Sequence, residues 1–172
     1  RIRDQRQRRM LVGVVRRDVD RDELAVLALE QRPRPGGEIL KPAAAAGLTP
    51  GQVSRLQLKW AFGFPGATAL YGQTVYDGRL YVTSNAGYVY SLDAETGCVH
   101  WSFRAESAVR SGFSIGPLNQ KDPRLAIYFG DIRGNAYALS ASTGEQVGKT
   151  LTDPHPLARI TGTPVLLEGR LL

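Results

Sequence analysis

A stretch of 18 residues recurs 47 positions further along this chain, and this internal repeat constrains the fold more than any other feature of the sequence. Residues agree without a gap at seven positions: Tyr81/Tyr128, Gly87/Gly134, Tyr90/Tyr137, Leu92/Leu139, Ala94/Ala141, Thr96/Thr143 and Gly97/Gly144. Aromatic and β-branched residues alternate within each copy, with glycines between them, which is typical of β-strands and not of helical repeats. A period in the forties with such strands is typical of β-propeller blades.

Each repeat is predicted to contain four short strands, because alternating segments are separated by turn residues. We place them near residues 72–76, 79–84, 88–93 and 98–103 in the first blade, and at 113–118, 125–130, 135–140 and 146–151 in the second. A third copy begins at Gly169-Arg170-Leu171, which matches Gly78-Arg79-Leu80 at a distance of 91 residues. The sequence therefore predicts an all-β fold, a partial β-propeller with two and a half four-stranded blades out of about six to eight.

Residues 1–42 lack the repeat and are predicted to form a non-propeller N-terminal arm, basic and either disordered or non-native, ahead of the propeller domain at 43–172. A short helix is expected from Thr49, a potential N-cap, to Leu56. Of the formal net charge of +6, most lies in the arm, and residues 43–172 carry no basic stripe with interleaved aromatic residues. We therefore expect no nucleic-acid partner. No apolar run approaches the roughly 18 residues of a membrane span.

A conspicuous motif runs from Ser91 to Trp101. Asp93 is expected to accept hydrogen bonds from nearby backbone N–H groups in a tight turn, and Gly97 to supply the positive-φ position. The Trp101 ring is then expected to pack between neighbouring blades. In the second repeat Ser140 replaces the aspartate and Gly148 the tryptophan, so docking there should be weaker.

This motif resembles the tryptophan-docking motif of quinoprotein propellers, with Ser91 in place of its alanine. Residues 59–67, 97–103, 108–111 and 155–164 are also similar to polyvinyl-alcohol dehydrogenases, which use the quinone cofactor PQQ. The resemblance, over residues 43–172, implies a fragment of a periplasmic enzyme that oxidises secondary alcohols, polymeric ones among them. It also implies Ca²⁺ and a cytochrome-type electron acceptor. A haem c on a further domain is compatible with the family, although no Cys-x-x-Cys-His motif is present.

The alternative is a non-catalytic propeller that binds other proteins, such as the outer-membrane assembly lipoproteins built from the same repeats. The docking motif does not distinguish the two, because it is structural in both. The Trp-Ala-Phe-Gly-Phe-Pro-Gly stretch at 60–66 favours the enzyme family, because the generic repeat does not require it.

Two arginines are candidates for holding PQQ, which carries three carboxylates. Arg110 and Arg159 each precede a predicted inner strand at what we interpret as equivalent positions, and such positions face the mouth of the central channel. Guanidinium groups bind carboxylates bidentately, and the neighbouring hydroxyls of Ser111 and Thr161 can add donors. The other interpretation is that each arginine forms an inter-blade salt bridge. The catalytic base and the Ca²⁺ ligands are not identifiable from this sequence.

The remaining reactive side chains are expected to be structural. Cys98, the single cysteine, is predicted to be a small buried residue, and His100 to face solvent or a neighbouring blade. Asp131 and Asp153 are predicted to be turn carboxylates, and His155 to lie in a loop.

Overall fold

The computed structural model describes residues 10–15, 51, 57–119 and 122–172, and it is built of antiparallel β-sheets. Its strands are β1 (Met10–Val15), β2 (Gln57–Gly63), β3 (Leu70–Tyr76), β4 (Arg79–Ser84), β5 (Tyr88–Asp93), β6 (Val99–Arg104), β7 (Ser114–Pro117), β8 (Leu125–Gly130), β9 (Asn135–Ser140), β10 (Gln146–Leu151), β11 (Leu166–Leu167) and β12 (Arg170–Leu171).

Two four-stranded sheets confirm the two predicted blades. Strands β3 to β6 pair in chain order, and strands β7 to β10 do the same, so that each blade is an antiparallel meander. The central strands β4, β5, β8 and β9 have the predicted bounds, because their alternation is uninterrupted and glycine turns delimit them. Among the edge strands, β10 also has the predicted bounds, whereas the ends of β3, β6 and β7 differ by one or two residues. For example, β7 is shorter than predicted, and Phe113, just before it, is buried in the core.

A third blade begins with the β11–β12 hairpin, as the third copy of the repeat predicts. Its turn residues Glu168 and Gly169 have φ values of 49° and 78°, and the turn between β3 and β4 has 48° at Asp77 and 67° at Gly78. Positive φ at both central positions is the geometry of two-residue hairpin turns, and glycine adopts it without strain.

The hydrophobic core lies between the blades. One cluster joins Tyr81 and Trp101 of the first blade to Phe113, Phe129 and Tyr137 of the second. The rings of Phe129 and Tyr137 stack with centroids 5.0 Å apart. Since each blade buries its face against its neighbour, the relative position of the two blades is set by packing and not only by the connecting chain.

Each blade is also docked by a tryptophan from the preceding outer strand. The Trp101 ring covers Gly144, where an added Cβ would lie 2.5 Å from the indole, and Trp101 Nε1 donates to Ala141 O at 3.1 Å. Trp60 on β2 covers Gly97 and donates to Ala94 O in the same way. The predicted docking of Trp101 is confirmed.

The turn before β6 has the predicted chemistry. Asp93 Oδ1 accepts from Glu95 N at 3.0 Å, from Thr96 N at 2.7 Å and from the Thr96 hydroxyl at 2.8 Å. These bonds, that of the Thr96 hydroxyl foremost, lower the pKa of Asp93. Gly97 has a φ of 74°. Cys98, however, is exposed, so its predicted burial is wrong; it follows Gly97 at the rim of the blade, before β6 begins.

The N-terminal arm contains a strand that its sequence did not indicate. Strand β1 pairs with β2 so that Gly13 lies opposite Trp60, and the register shifts at the next residue. In the β5–β6 ladder, Ser91 lies opposite Trp101 and the register shifts at the same place. Strand β1 therefore occupies the position of a third blade strand, and the expectation of an arm without regular structure is wrong for residues 10–15.

Other predictions for this part of the chain concern residues that the structure does not describe. These are the predictions for the rest of the arm and, apart from Gly51, for the helix from Thr49 to Leu56. The domain boundary between residues 42 and 43 stays a prediction. Within the described ranges, no helix has the length and apolar character needed to cross a membrane.

Candidate functional site

The two segments that carry the candidate residues approach each other at one end of the inner strands. The first linker, residues 105–113, joins β6 to β7, and the second linker, residues 152–165, joins β10 to β11. A Cβ added to Gly72 would lie 2.7 Å from Ser111 O, and one added to Gly112 would lie 2.4 Å from Thr163 Oγ1. Since blades come closest together near the central axis, this convergence places both linkers beside the channel of the propeller.

Ser111 anchors the first linker to the second blade. It is fully buried, and its hydroxyl donates to Gly130 O at 3.0 Å and accepts from Gly130 N at 2.9 Å. Its carbonyl accepts from the Thr83 hydroxyl at 3.2 Å. A hydroxyl has one hydrogen, so that of Ser111 has none left for a cofactor while this bond persists.

Arg110, Arg159 and Thr161 are exposed. The ion pairs within residues 57–119 and 122–172 are Lys59–Glu95, His100–Asp93, Arg124–Asp122 and Lys149–Glu106. Neither candidate arginine belongs to this set, so the described ranges contain no acidic partner for the inter-blade salt bridges of the other interpretation. The guanidinium donors of both arginines are available to an added anion.

The assumed equivalence of Arg110 and Arg159 is wrong by two positions. Val109 N donates to Ser84 O at 3.3 Å, and Ile160 N donates to Asp131 O at 3.0 Å. Ser84 and Asp131 are equivalent in the repeat, so Val109 is the counterpart of Ile160. Arg110 therefore corresponds to Thr161. The reason is an insertion of four residues early in the second linker, which sequence comparison does not locate. Arg110 therefore follows the anchored Val109, whereas Arg159 precedes the anchored Ile160.

Asp131 lies in the β8–β9 turn between the two linkers and is fully buried. Its Oδ1 accepts from Arg133 N at 2.9 Å and Asn135 N at 3.0 Å. Its Oδ2 accepts from Asn135 Nδ2 and the Tyr137 hydroxyl, both at 2.9 Å. The predicted turn chemistry is confirmed, but its burial and its bond to Tyr137 were missed. Burial, with the adjacent Asp131 carboxylate, raises the pKa of Tyr137 to about 12, so the phenol remains a donor at neutral pH.

The second linker contains a locally bonded loop. His155 N donates to Asp153 Oδ1 at 2.7 Å, and Leu157 N donates to His155 Nδ1 at 3.2 Å. Asp153 is thus a turn carboxylate, as predicted. In the described part of the chain, no group of three or more His, Cys, Asp or Glu side chains is arranged to hold a metal ion. The Ca²⁺ expected from the family resemblance therefore has no ligand set in these ranges.

Comparison with known proteins gives one family and several relatives. Residues 60–172 match the PQQ_2 family, described as outer membrane protein assembly factor BamB. The chain is 46% identical over 127 residues to the polyvinylalcohol dehydrogenase of Pseudomonas sp., and 41% identical over 121 residues to that of Sphingopyxis sp. (strain 113P3). These alignments cover 73% and 69% of this chain.

A more distant relative is the 1-butanol dehydrogenase (cytochrome c) of Thauera butanivorans, 25% identical over 134 residues, which are 74% of this chain and 19% of the relative. The chain spans about a fifth of the length of the curated relatives it matches, 20% and 18% for the two polyvinylalcohol dehydrogenases.

Among solved structures, BamB from Moraxella catarrhalis superposes with a TM-score of 0.52 at 21% identity, over 64% of this chain and 31% of that one. At this identity the likeness shows the fold.

Proposed function

This chain belongs to the PQQ_2 family and is homologous to polyvinyl-alcohol dehydrogenases, and from that premise we propose that the protein containing it is a PQQ-dependent alcohol dehydrogenase. The observation that carries the proposal is the pair of exposed arginines, Arg110 and Arg159, on the linkers that converge at the channel. Their guanidinium groups have no ion-pair partner in the described ranges, and they suit the carboxylates of PQQ.

The side chains on the two linkers include the hydrogen-bond donors that the carboxylates of PQQ require. Arg110 and Arg159 would each bind a carboxylate, and Thr161, exposed on the second linker, would add a hydroxyl donor. Ser111 would contribute by holding its linker against Gly130, with its hydroxyl already bonded to the backbone. When bound, PQQ supplies a quinone that takes up two electrons and two protons as the alcohol becomes a ketone.

The substrate that we propose is a secondary alcohol, polymeric ones included, and the electron acceptor a cytochrome-type protein in the periplasm. The homology to polyvinyl-alcohol dehydrogenases and to a dehydrogenase whose name includes cytochrome c supports both proposals. The expected Ca²⁺ would be held by residues outside the described ranges, and a haem c domain remains compatible with the family.

A non-catalytic role is the second candidate, because the matching family is described as an outer-membrane assembly factor. Such a propeller binds partner proteins and needs neither a quinone nor free channel arginines. The identity of over 40% to two dehydrogenases favours the enzyme.

The decisive experiment is a PQQ titration of the full-length protein carrying Arg110→Ala or Arg159→Ala. Loss of a charged, bidentate contact should weaken PQQ binding by about 2–5 kcal/mol. Arg170→Ala is the matched control, because Arg170 is also exposed but lies on the β11–β12 hairpin, beyond the linker end of β11. Unchanged PQQ affinity with reduced thermal stability would assign both arginines a structural role. An intact protein that neither binds PQQ nor oxidises secondary alcohols in the presence of Ca²⁺ would favour the scaffold.

A further inference from the structure

The β8–β9 turn is bonded to both linkers. The Asp131 carbonyl accepts from Ile160 N in the second linker at 3.0 Å, and Ile132 N donates to Ala108 O in the first linker at 3.0 Å. The Asp131 carboxylate reaches the first linker by another route, because the Tyr137 hydroxyl that donates to it also accepts from Glu106 N at 3.2 Å. A single turn thus contacts the segment that carries Arg110 and the segment that carries Arg159.

The turn itself does not require a carboxylate. At the equivalent position of the first blade, the Ser84 hydroxyl accepts from Tyr88 N at 3.2 Å, just as Asp131 Oδ1 accepts from Asn135 N. Ser84 is likewise buried, and its turn closes without a charge. Burying a carboxylate is costly unless hydrogen bonds compensate it. Here four donors do so, and none of them belongs to a cationic side chain.

We propose that Asp131 is a positioning residue for the PQQ site: it holds the two linkers at a set separation and so places Arg110 and Arg159 for the carboxylates of the cofactor. This inference rests on the proposed function. Asp131 does not touch the cofactor in this scheme. Its main-chain carbonyl binds Ile160 N, as that of Ser84 binds Val109 N, and its carboxylate acts on the first linker through Tyr137 and Glu106. Exposed arginines lose conformational freedom when they bind, so a linker held in place before binding raises affinity.

The test uses the full-length protein and the variant Asp131→Ser, which gives the second blade the residue of the first. PQQ affinity, measured by fluorescence quenching, should fall by about tenfold or more as the first linker loosens. Tyr137→Phe removes the connection to Glu106 together with one of the four donors to the Asp131 carboxylate, and it should weaken PQQ binding in the same direction. Ile127→Val, a buried change on β8 that leaves the turn intact, is the control for a general loss of stability.

Two readouts separate positioning from ordinary stabilisation. In the double variant with Arg110→Ala, Asp131→Ser should cost less PQQ affinity than it does alone, because part of its action passes through that arginine. In the protein without PQQ, hydrogen exchange at the Glu106 amide should be faster in Asp131→Ser than in the parent and in Ile127→Val.

The outcomes are distinguishable. If Arg110→Ala and Arg159→Ala leave PQQ binding unchanged, the proposed cofactor site is wrong, and the role of Asp131 in it fails too. If either arginine variant weakens binding but Asp131→Ser binds PQQ like the parent, only the positioning role is overturned. Parent-like exchange at the Glu106 amide, or fully additive losses in the double variant, would also overturn it.

Discussion

Two tryptophans connect successive blades through the same pair of contacts. Trp101 is 8% exposed and Trp60 is half-buried, and each ring lies on a glycine while its N–H reaches a carbonyl three residues before that glycine. The glycines, Gly144 and Gly97, cannot be replaced without displacing the ring, and both have a positive φ of 74°. For a single residue pair, the interface therefore depends on a tryptophan ring on one strand and on a glycine, which has no side chain, beneath that ring.

Replacing Trp101 by alanine in the full-length protein should lower the free energy of unfolding by about 3–5 kcal/mol, because it empties an inter-blade site that the surrounding strands cannot fill. Chemical denaturation monitored by circular dichroism would measure this. Ser102→Ala, an exposed change on the same strand, should stay within about 0.5 kcal/mol of the parent. A Trp101→Ala variant as stable as the parent would refute the docking role.

At the scale of the element, the β1–β2 ladder is a copy of the β5–β6 ladder. In the first, Gly13 lies opposite Trp60, in the second Ser91 lies opposite Trp101, and in both the register shifts beside this pair. An outer strand such as β2 has free backbone N–H and C=O groups along one edge unless another strand pairs with it. Strand β1 supplies that pairing, so we expect residues 10–15 to stabilise β2.

Deleting residues 1–15 should therefore increase hydrogen exchange at the amides of β2, which lose their ladder partner. Deleting residues 1–9 alone is the control, because β1 remains. Strand β2 amides that exchange equally slowly in both deletions would show that β1 does not protect β2.

At the scale of the molecule, blades are stable because each covers the next. Leu151, Leu157 and Leu167, on β10, the second linker and β11, are 54%, 68% and 56% exposed. Exposed apolar side chains on strands and edges promote association.

The 172-residue chain by itself is accordingly expected to be poorly soluble and to oxidise no alcohol when PQQ and Ca²⁺ are added. Analytical ultracentrifugation and a dye-coupled oxidation assay would measure both. A monomer that melts cooperatively would contradict the first expectation, and turnover of a secondary alcohol would contradict the second.

The two complete blades could be predicted from the amino-acid sequence. Strand bounds, hairpin turns and the Asp93–Gly97 turn depend on residues a few positions apart, and alternation, glycine and capping side chains encode such local structure directly. The docking of Trp101 was also predictable, because the repeat shows which turn recurs one blade away. The resemblance to polyvinyl-alcohol dehydrogenases, which the motifs indicated, is confirmed by the identity of over 40% to two of them.

Contacts between distant segments could be seen only in the folded structure. Because the second linker has four additional residues, Thr161 and not Arg159 is the counterpart of Arg110, and the pairing of β1 with β2 spans more than 40 residues. Ser111 and Asp131 look like a free hydroxyl and an ordinary turn carboxylate in the sequence. Their roles follow from burial against other strands, which depends on how blades pack and not on the residues beside them.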